Sequence, residues 1–351
     1  MHFPSNQTYI RSQSWLHTEV RLSPGEHLAL GRAYARIDNA ALRQALVADR
    51  RGTDLVSERV ARVAHEPWGS IVHTEGGHRH RVRLVIDATG HAARFIDGGA
   101  AGQTLQVAYG LHLRVDGHPF PLDRMQLMDW TEATCSAPTF LYAMPLATDE
   151  LFVEETSLLA RPGVPLPTLQ RGLARRIRAL GIQAREVVSI EQCRIPLDPV
   201  LPRPQRIVPF GSAAGLVHPA TGYQLGRALH AAPLIAHALA AQLDRGPERA
   251  ALAAWHALWP QELLRSRALF LFGASVLRGL DLDGLRRFFR SFFALPSEAW
   301  SAFLSGDVPG RDVARTMARL FLTTDPATRW TLARAGFSRS GLPLFRSITV
   351  P

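Results

Sequence analysis

The sequence predicts an α/β chain: a nucleotide-binding type of layer, a β-rich insert within it, and a helical C-terminal part. Three observations carry that prediction. Two short apolar runs, residues 81–90 and 206–211, each pass from strand-like residues into a turn of small residues and glycine. Residues 103–160, between them, alternate apolar and polar side chains as half-buried strands do. Beyond the second turn the chain is rich in Ala and Leu and reads as helical to about residue 321. Strand–turn–helix units flanking a run of strands are the pattern of a layered sheet with an inserted domain.

Along the chain, the first thirty residues carry no clear period. Residues 37–46 predict a helix that Asp38 or Asn39 can cap. Residues 55–64 and 70–75 read as strands, and residues 81–90 as a strand buried at Leu84 to Ile86. Residues 106–113 and 151–156 have strand character. An Arg-studded amphipathic helix is expected over 169–180, and a long Ala/Leu helix from about 222 to 243. The predicted organisation is a nucleotide-binding layer over 1–102 and a β-rich substrate domain over 103–200. A return segment of the first layer follows at 201–245, then a helical region, a candidate for membrane contact, at 246–351.

Composition narrows the function. With 46% hydrophobic and 20% charged residues, the chain is an ordinary globular sequence, which argues against disorder. The formal net charge is +10, and every basic residue is Arg, so the field favours anionic partners. There is no nucleic-acid module and no dense Arg run, so phosphate-bearing cofactors and acidic lipid rank above nucleic acid, which is not expected as a partner. Cys135 and Cys193 stand far apart and build neither a disulfide framework nor a metal site, so no metal is expected. No apolar stretch reaches 18 residues, and Met1-His2-Phe3-Pro4-Ser5-Asn6 lacks a signal-peptide layout. The expectation is a cytoplasmic protein, peripherally attached to a membrane.

Two turns carry the binding chemistry. In Val85-Ile86-Asp87-Ala88-Thr89-Gly90, small residues at a strand end let a ligand approach the backbone. In Phe210-Gly211-Ser212-Ala213-Ala214-Gly215-Leu216-Val217-His218-Pro219-Ala220-Thr221-Gly222-Tyr223, a strand leads through small residues to a long helix. The free N–H groups of a helix start suit a phosphate or the negative edge of a reduced flavin. The first turn alone is equally consistent with an ordinary strand-ending turn, while the second favours a ligand over a tight connection that binds nothing. Together they look like the second and third nucleotide-contacting segments of the large FAD fold with two dinucleotide-type motifs. The first segment of that fold, a strand followed by G-x-G-x-x-G, is not found in the sequence and is expected upstream of Met1.

A longer series of motifs runs along the chain. They include Gly31-Arg32-Ala33-Tyr34-Ala35-Arg36-Ile37, Gln106-Val107-Ala108-Tyr109-Gly110, Met128-Asp129-Trp130 and Pro138-Thr139-Phe140-Leu141-Tyr142-Ala143-Met144-Pro145. Next come Phe152-Val153-Glu154-Glu155-Thr156-Ser157-Leu158 and Ala160-Arg161-Pro162-Gly163, then Ile195-Pro196-Leu197 and the turn at 217–223. Leu258-Trp259-Pro260, Arg287-Phe288-Phe289 and Trp300-Ser301-Ala302-Phe303-Leu304-Ser305 close the set. In this order and spacing the set resembles the lycopene cyclase family, and the run after Glu155 resembles its β-ring enzymes. Val153 replaces the family's Leu, and Asp198-Pro199 replaces its two glycines.

The resemblance implies an enzyme that closes the end rings of lycopene, giving γ-carotene or β-carotene, with reduced FAD as charge stabiliser and NADPH as reductant. Its catalytic candidates here are Glu154, Glu155 and Asp129. Asp87, Ala88, Thr89, Gly90, Gly211, Ser212, Ala213, Gly215, His218, Pro219, Thr221, Gly222 and Tyr223 are its cofactor-binding candidates. A carboxyl in an apolar cavity stays protonated. Neighbours on a strand face opposite ways, so one of Glu154 and Glu155 faces the substrate and the other faces structure; the resemblance points to Glu154 as the acid. A buried structural histidine is the competing reading of His218, and a turn aspartate that of Asp129. The segment 285–295, mixing Phe and Arg, is a candidate membrane contact or a packed helix. The alternatives are another FAD-dependent carotenoid-modifying or hydroxylase-like enzyme, and an inactive truncated cyclase.

Overall fold

The computed structural model describes residues 11–48, 52–98 and 102–336. Segment 1–6 and residues 337–351 of the predicted helical region lie outside them. The strands and helices run in this order. β1 (Arg11–Trp15), β2 (His17–Ser23), β3 (Glu26–Ala29) and β4 (Tyr34–Ile37) precede α1 (Asn39–Ala48). β5 (Val60–Glu66), β6 (Gly69–Thr74), β7 (Arg79–Val82) and β8 (Val85–Asp87) follow. The insert supplies β9 (Leu105–Val115), β10 (Arg124–Asp129), β11 (Thr139–Ala147), β12 (Glu150–Ser157), α2 (Leu166–Ala179) and β13 (Ala184–Pro196). The return segment is β14 (Ile207–Pro209), a single 3-10 turn at Gly211–Ala214, and α3 (Leu225–Gln242). The chain then runs through α4 (Pro247–Leu258), α5 (Gln261–Arg278), α6 (Leu282–Phe293), α7 (Ser297–Ser305), α8 (Gly310–Thr323) and α9 (Pro326–Gly336).

The centre is a seven-stranded sheet in the order β13-β9-β12-β11-β10-β2-β3. Its back is covered by α2. That helix buries Leu169, Gly172, Leu173 and Arg176, spaced as one helical face, against the apolar face of the insert. A second core joins Val20, Leu22, Met125 and Trp130 of the sheet to Leu285, Phe289 and Phe292 of α6. β8 and β14 pair in parallel, Ile207 opposite Val85 and Pro209 opposite Asp87, so the two glycine turns lie side by side at the carboxyl ends of adjacent strands. In open α/β sheets that is where ligands bind.

Three expectations are corrected. The segment at 55–64 becomes a strand only from Val60. Ile86 is 45% exposed, because β8 belongs to a ladder of two strands among the described residues and no third strand covers its other flank. The unreadable residues 17–29 form β2 and β3 of the central sheet, with β2 parallel to β10, so the boundary at 102 cuts across that sheet. The α1 cap is Asp38, whose Oδ1 accepts from the Ala41 N–H at 2.9 Å.

Candidate active site

Strand β12 sets the geometry. Val153 and Glu155 turn to the α2 side, while Phe152 and Glu154 turn to the other face, as the period of a strand requires. On that other face lies a cavity of about 710 Å³ lined by Glu154, Tyr34, Tyr142, Thr221, Gly222 and Tyr223, among others. A second, almost wholly apolar chamber of about 310 Å³ lies between the sheet and helices α5, α6 and α8. The two meet at Gln106, Tyr142, Thr221 and Tyr223, which line both. An apolar passage from the helical region thus ends at a carboxyl group.

Burial pushes the Glu154 carboxyl up to about 7; Thr156 opposes this through a hydrogen bond, and the charge of Glu191 adds to it. The Thr156 hydroxyl donates to Glu154 Oε1 at 2.6 Å. The phenols of Tyr34, Tyr142 and Tyr223 meet beside it, all held above the ordinary phenol range by burial. They are neutral donors: Tyr142 and Tyr223 stand at the junction of the two cavities, and Tyr34 lines the larger one.

Glu155 has the opposite surroundings. It is fully buried, and its Oε2 accepts from Arg176 Nε at 2.7 Å. Thr134 and Thr139 hydroxyls both donate to its Oε1 at 2.6 Å. Burial raises its pKa, and Arg176 and the two hydroxyls oppose that rise. Asp129 lies on the same side of the sheet. Its Oδ1 accepts from the Thr131 N–H and hydroxyl, and its carboxylate faces Arg21 and Arg176 at 3.5 and 3.9 Å. Of the three catalytic candidates, Glu154 alone lines the cavity. Glu155 and Asp129 instead anchor a buried ionic network behind it, because the strand period and an aspartate turn carry them there.

The cofactor candidates also divide. Asp87 accepts from the Thr89 N–H and hydroxyl at 2.8 and 2.7 Å and from the Phe95 N–H at 3.1 Å, so its side chain is consumed in shaping the turn. Ala88 and Thr89 remain exposed, and Gly90 takes φ +89°, leaving their backbone open at the strand end. Gly211 and Gly215 take φ +63° and +73° around the single turn that holds Ser212 and Ala213. The Ser212 hydroxyl donates to Gln224 at 2.6 Å, while Ala213 is buried.

His218 is buried with both ring nitrogens occupied: Nδ1 accepts from Ala220 N–H and Nε2 donates to the Phe303 carbonyl, each at 3.1 Å. Burial lowers its pKa to about 4, so it is a neutral structural histidine. It closes the turn through Pro219 that presents Thr221, Gly222 and Tyr223 to the cavity; the Thr221 and Gly222 N–H groups both donate to its carbonyl. A Cβ on Gly222 would collide with the Gln106 amide oxygen.

The family model described as lycopene cyclase protein matches residues 5–329. The chain belongs to the lycopene cyclase family. The lycopene beta cyclase, chloroplastic, of an Oncidium hybrid cultivar is 38% identical over 307 residues, which is 83% of this chain and 65% of that one. The chain therefore spans a little under two thirds of this cyclase relative. A geranylgeranyl bacteriochlorophyll reductase-like protein from Thermoplasma acidophilum superposes with a TM-score of 0.65 at 15% identity, over 93% of this chain and 83% of that one. A halogenase solved in complex with FAD matches with a TM-score of 0.53 at 12% identity, covering 97% and 80%. These two likenesses concern the fold alone, and it is the flavoprotein type the paired turns predicted.

Within this cyclase family member, sequence reasoning missed Gln106, Tyr34 and Glu191 as cavity residues. Tyr142 and Tyr34 stand in quoted motifs but were given no role. The missing signal was register: Tyr142 pairs with Glu154, and Glu154 with Gly110, so a glutamate pointed at the cavity implies its cross-strand neighbours.

Proposed function

We propose that this chain is the catalytic part of a lycopene β-cyclase, converting lycopene to γ-carotene, β-carotene or both. The observation that carries the reading is Glu154, a carboxyl held protonated near neutral pH where an apolar passage ends. Glu154 gives its proton to the terminal double bond of the substrate, leaving a tertiary cation. The next double bond attacks that cation and closes a six-membered ring. Loss of a neighbouring proton completes the β-ring without any net oxidation. General acid catalysis by one positioned group contributes about 10²–10⁴-fold. Tyr34, Tyr142 and Tyr223 orient the end group and keep the acid dry.

The walls fit a flat ring cofactor. The 221–223 turn and residues 35–40 line the cavity beside Glu154, Gly222 leaves no room for a side chain, and the open backbone at Ala88–Gly90 suits a nucleotide. When bound, reduced FAD, with NADPH as its reductant, supplies negative charge that stabilises a nearby cation.

The substrate is a bilayer hydrocarbon, so peripheral membrane contact of a cytoplasmic enzyme belongs to this reading. No helix among the described residues is long and apolar enough to cross a membrane. The α6 segment is turned inward, with Leu285, Phe289 and Phe292 buried and Arg290 clamped to Glu26. The exposed candidates are Leu322 and Trp330 on α8 and α9, at 70% and 71%, beside arginines and next to the apolar chamber.

The test is pigment analysis of lycopene-accumulating bacterial cells expressing the chain or its Glu154→Gln variant. β-Ring products from the parent that vanish with the variant support the reading. Unchanged lycopene with both, even after a relative's first βαβ unit is grafted on, overturns it.

A further inference from the structure

We propose that Glu191 is a second catalytic carboxylate, the base that removes the proton from the ring-closed cation, facing Glu154 across Gly110. The proposal rests on the cyclase reading above. It starts from register. Tyr142, Glu154, Gly110 and Glu191 form one row across β11, β12, β9 and β13. Residues in one row share a sheet face, and both glutamates line the same cavity. Two strand spacings separate their backbones, roughly 10 Å.

Gly110 carries no side chain, and the Phe152 ring takes the space above it. A Cβ there would stand 2.8 Å from Phe152 Cζ and 3.3 Å from Glu154 Cβ. The Phe152 ring therefore reaches over Gly110, and the space between the carboxylates has an aromatic wall. Aromatic rings attract cations, so the charge created by Glu154 is favoured in that gap.

The two carboxylates have unlike environments, which is what an acid and a base acting in one reaction require. Glu154 is mostly buried; Glu191 is exposed at the rim. The Cys193 thiol donates to Glu191 Oε1 at 3.4 Å, and burial pushes that thiol up to about 12, so it stays a donor. The other titratable groups lining the cavity are Tyr34, Arg36 and Asp38 from β4 and the loop after it, Tyr142 from β11 and Tyr223 from the 218–223 turn. None of these is a carboxylate on the Glu154 face of the central sheet.

Atoms balance as follows. Glu154 loses a proton to the less substituted carbon of the terminal double bond, which leaves the tertiary cation, and attack by the next double bond closes the ring to a cation. The C–H bond on the adjacent ring carbon breaks, its electron pair becomes the ring double bond, and the proton passes to a Glu191 oxygen. Glu191 releases it to solvent at the rim, and Glu154 takes one up. One proton enters, one leaves, and no electron is exchanged.

The experiment compares parent, Glu191→Gln and Glu191→Asp in the lycopene-accumulating cells, reading both amount and ring isomer. Glu191→Gln is expected to cut β-ring formation at least tenfold, with part of the product carrying a displaced ring double bond, because the cation then loses its proton elsewhere. Glu191→Asp should restore part of the β-ring. Independently of turnover, the Glu154 titration midpoint, followed by carboxyl ¹³C NMR on purified protein, should fall in Glu191→Gln as a neighbouring negative charge is removed. Parent-like rate and isomer ratio in Glu191→Gln overturn the role of Glu191 and leave the cyclase reading standing. A parent that forms no rings even with the grafted unit overturns both.

Discussion

Glu154 and Glu155 are consecutive residues of one strand, yet they occupy two different solvents. On the cavity side, Glu154 meets one hydroxyl donor and three phenols in a cavity of mixed polar and apolar walls, and burial pushes its carboxyl up to about 7. On the α2 side, Glu155 accepts from two hydroxyls and a guanidinium, the contacts of a carboxylate. Identical chemistry is divided by a strand period of two. One side chain is left reactive, and the other locks the strand that aims it. The comparison also explains why the ionic network is behind the sheet: a guanidinium paired with Glu154, as Arg176 is with Glu155, would hold it ionised and useless as an acid.

The largest expected effect comes from removing the reactive side. Glu154→Gln keeps the volume and loses the proton, so cyclisation should fall by about 10²–10⁴-fold while thermal stability stays close to that of the parent. A variant that cyclises at half the parent rate ends the role of Glu154. Removing the locking side should invert the pattern. Glu155→Ala takes from the buried Arg176 its hydrogen-bonded carboxylate and leaves only Asp129 at 3.9 Å, a loss of about 3 kcal/mol, read by urea unfolding. Replacing both, as Glu155→Leu with Arg176→Met, should recover part of that loss, since no lone charge remains. Equal stabilities of the single and double variants would show that the pair is not coupled.

A pH series separates the faces without mutation. Below about pH 4.5, Glu154 is protonated in the folded and unfolded chain alike, and its contribution to stability is full. As pH rises toward 7, the unfolded chain ionises first, so stability falls, by at most about 3 kcal/mol in total, and levels off above the folded value. Activity should decline through the same region near pH 7, because only the protonated form is the acid. Glu154→Gln should flatten this segment of the stability curve. A slope unchanged in the variant would assign the titration to another group.

Much of this division was legible in the sequence. Alternation across residues 151–156 already required one glutamate to face inward and one to face away, and the back helix showed its apolar stripe at Leu169 and Leu173. What stayed hidden depended on pairings between distant segments. No local signal announces that β2 will lie parallel to β10, a hundred residues on, because a parallel pair shares no turn. Glu191 was hidden for a related reason. β13 is an edge strand, exposed along most of its length, so no apolar alternation marks its inner face. His218 and Asp129 misled in the other direction: each sits in a motif, and each spends its polar atoms on structure, His218 on its own turn and the Phe303 carbonyl, Asp129 on its own turn and neighbouring guanidiniums.

The smallest effect tests the one hydrogen bond that works against the acid. Thr156 donates to Glu154 Oε1, and a donor stabilises the ionised form more than the neutral one. Thr156→Val keeps the shape and removes that donor, so the Glu154 midpoint should rise, by about half a unit to one unit if the bond has ordinary strength. The upper edge of the pH–activity profile should move up with it, while the buried Glu155 network, on the other face, should be untouched in urea unfolding. A midpoint that stays put or falls would mean that Thr156 does not feed the cavity carboxyl, and that burial and Glu191 alone set its acidity.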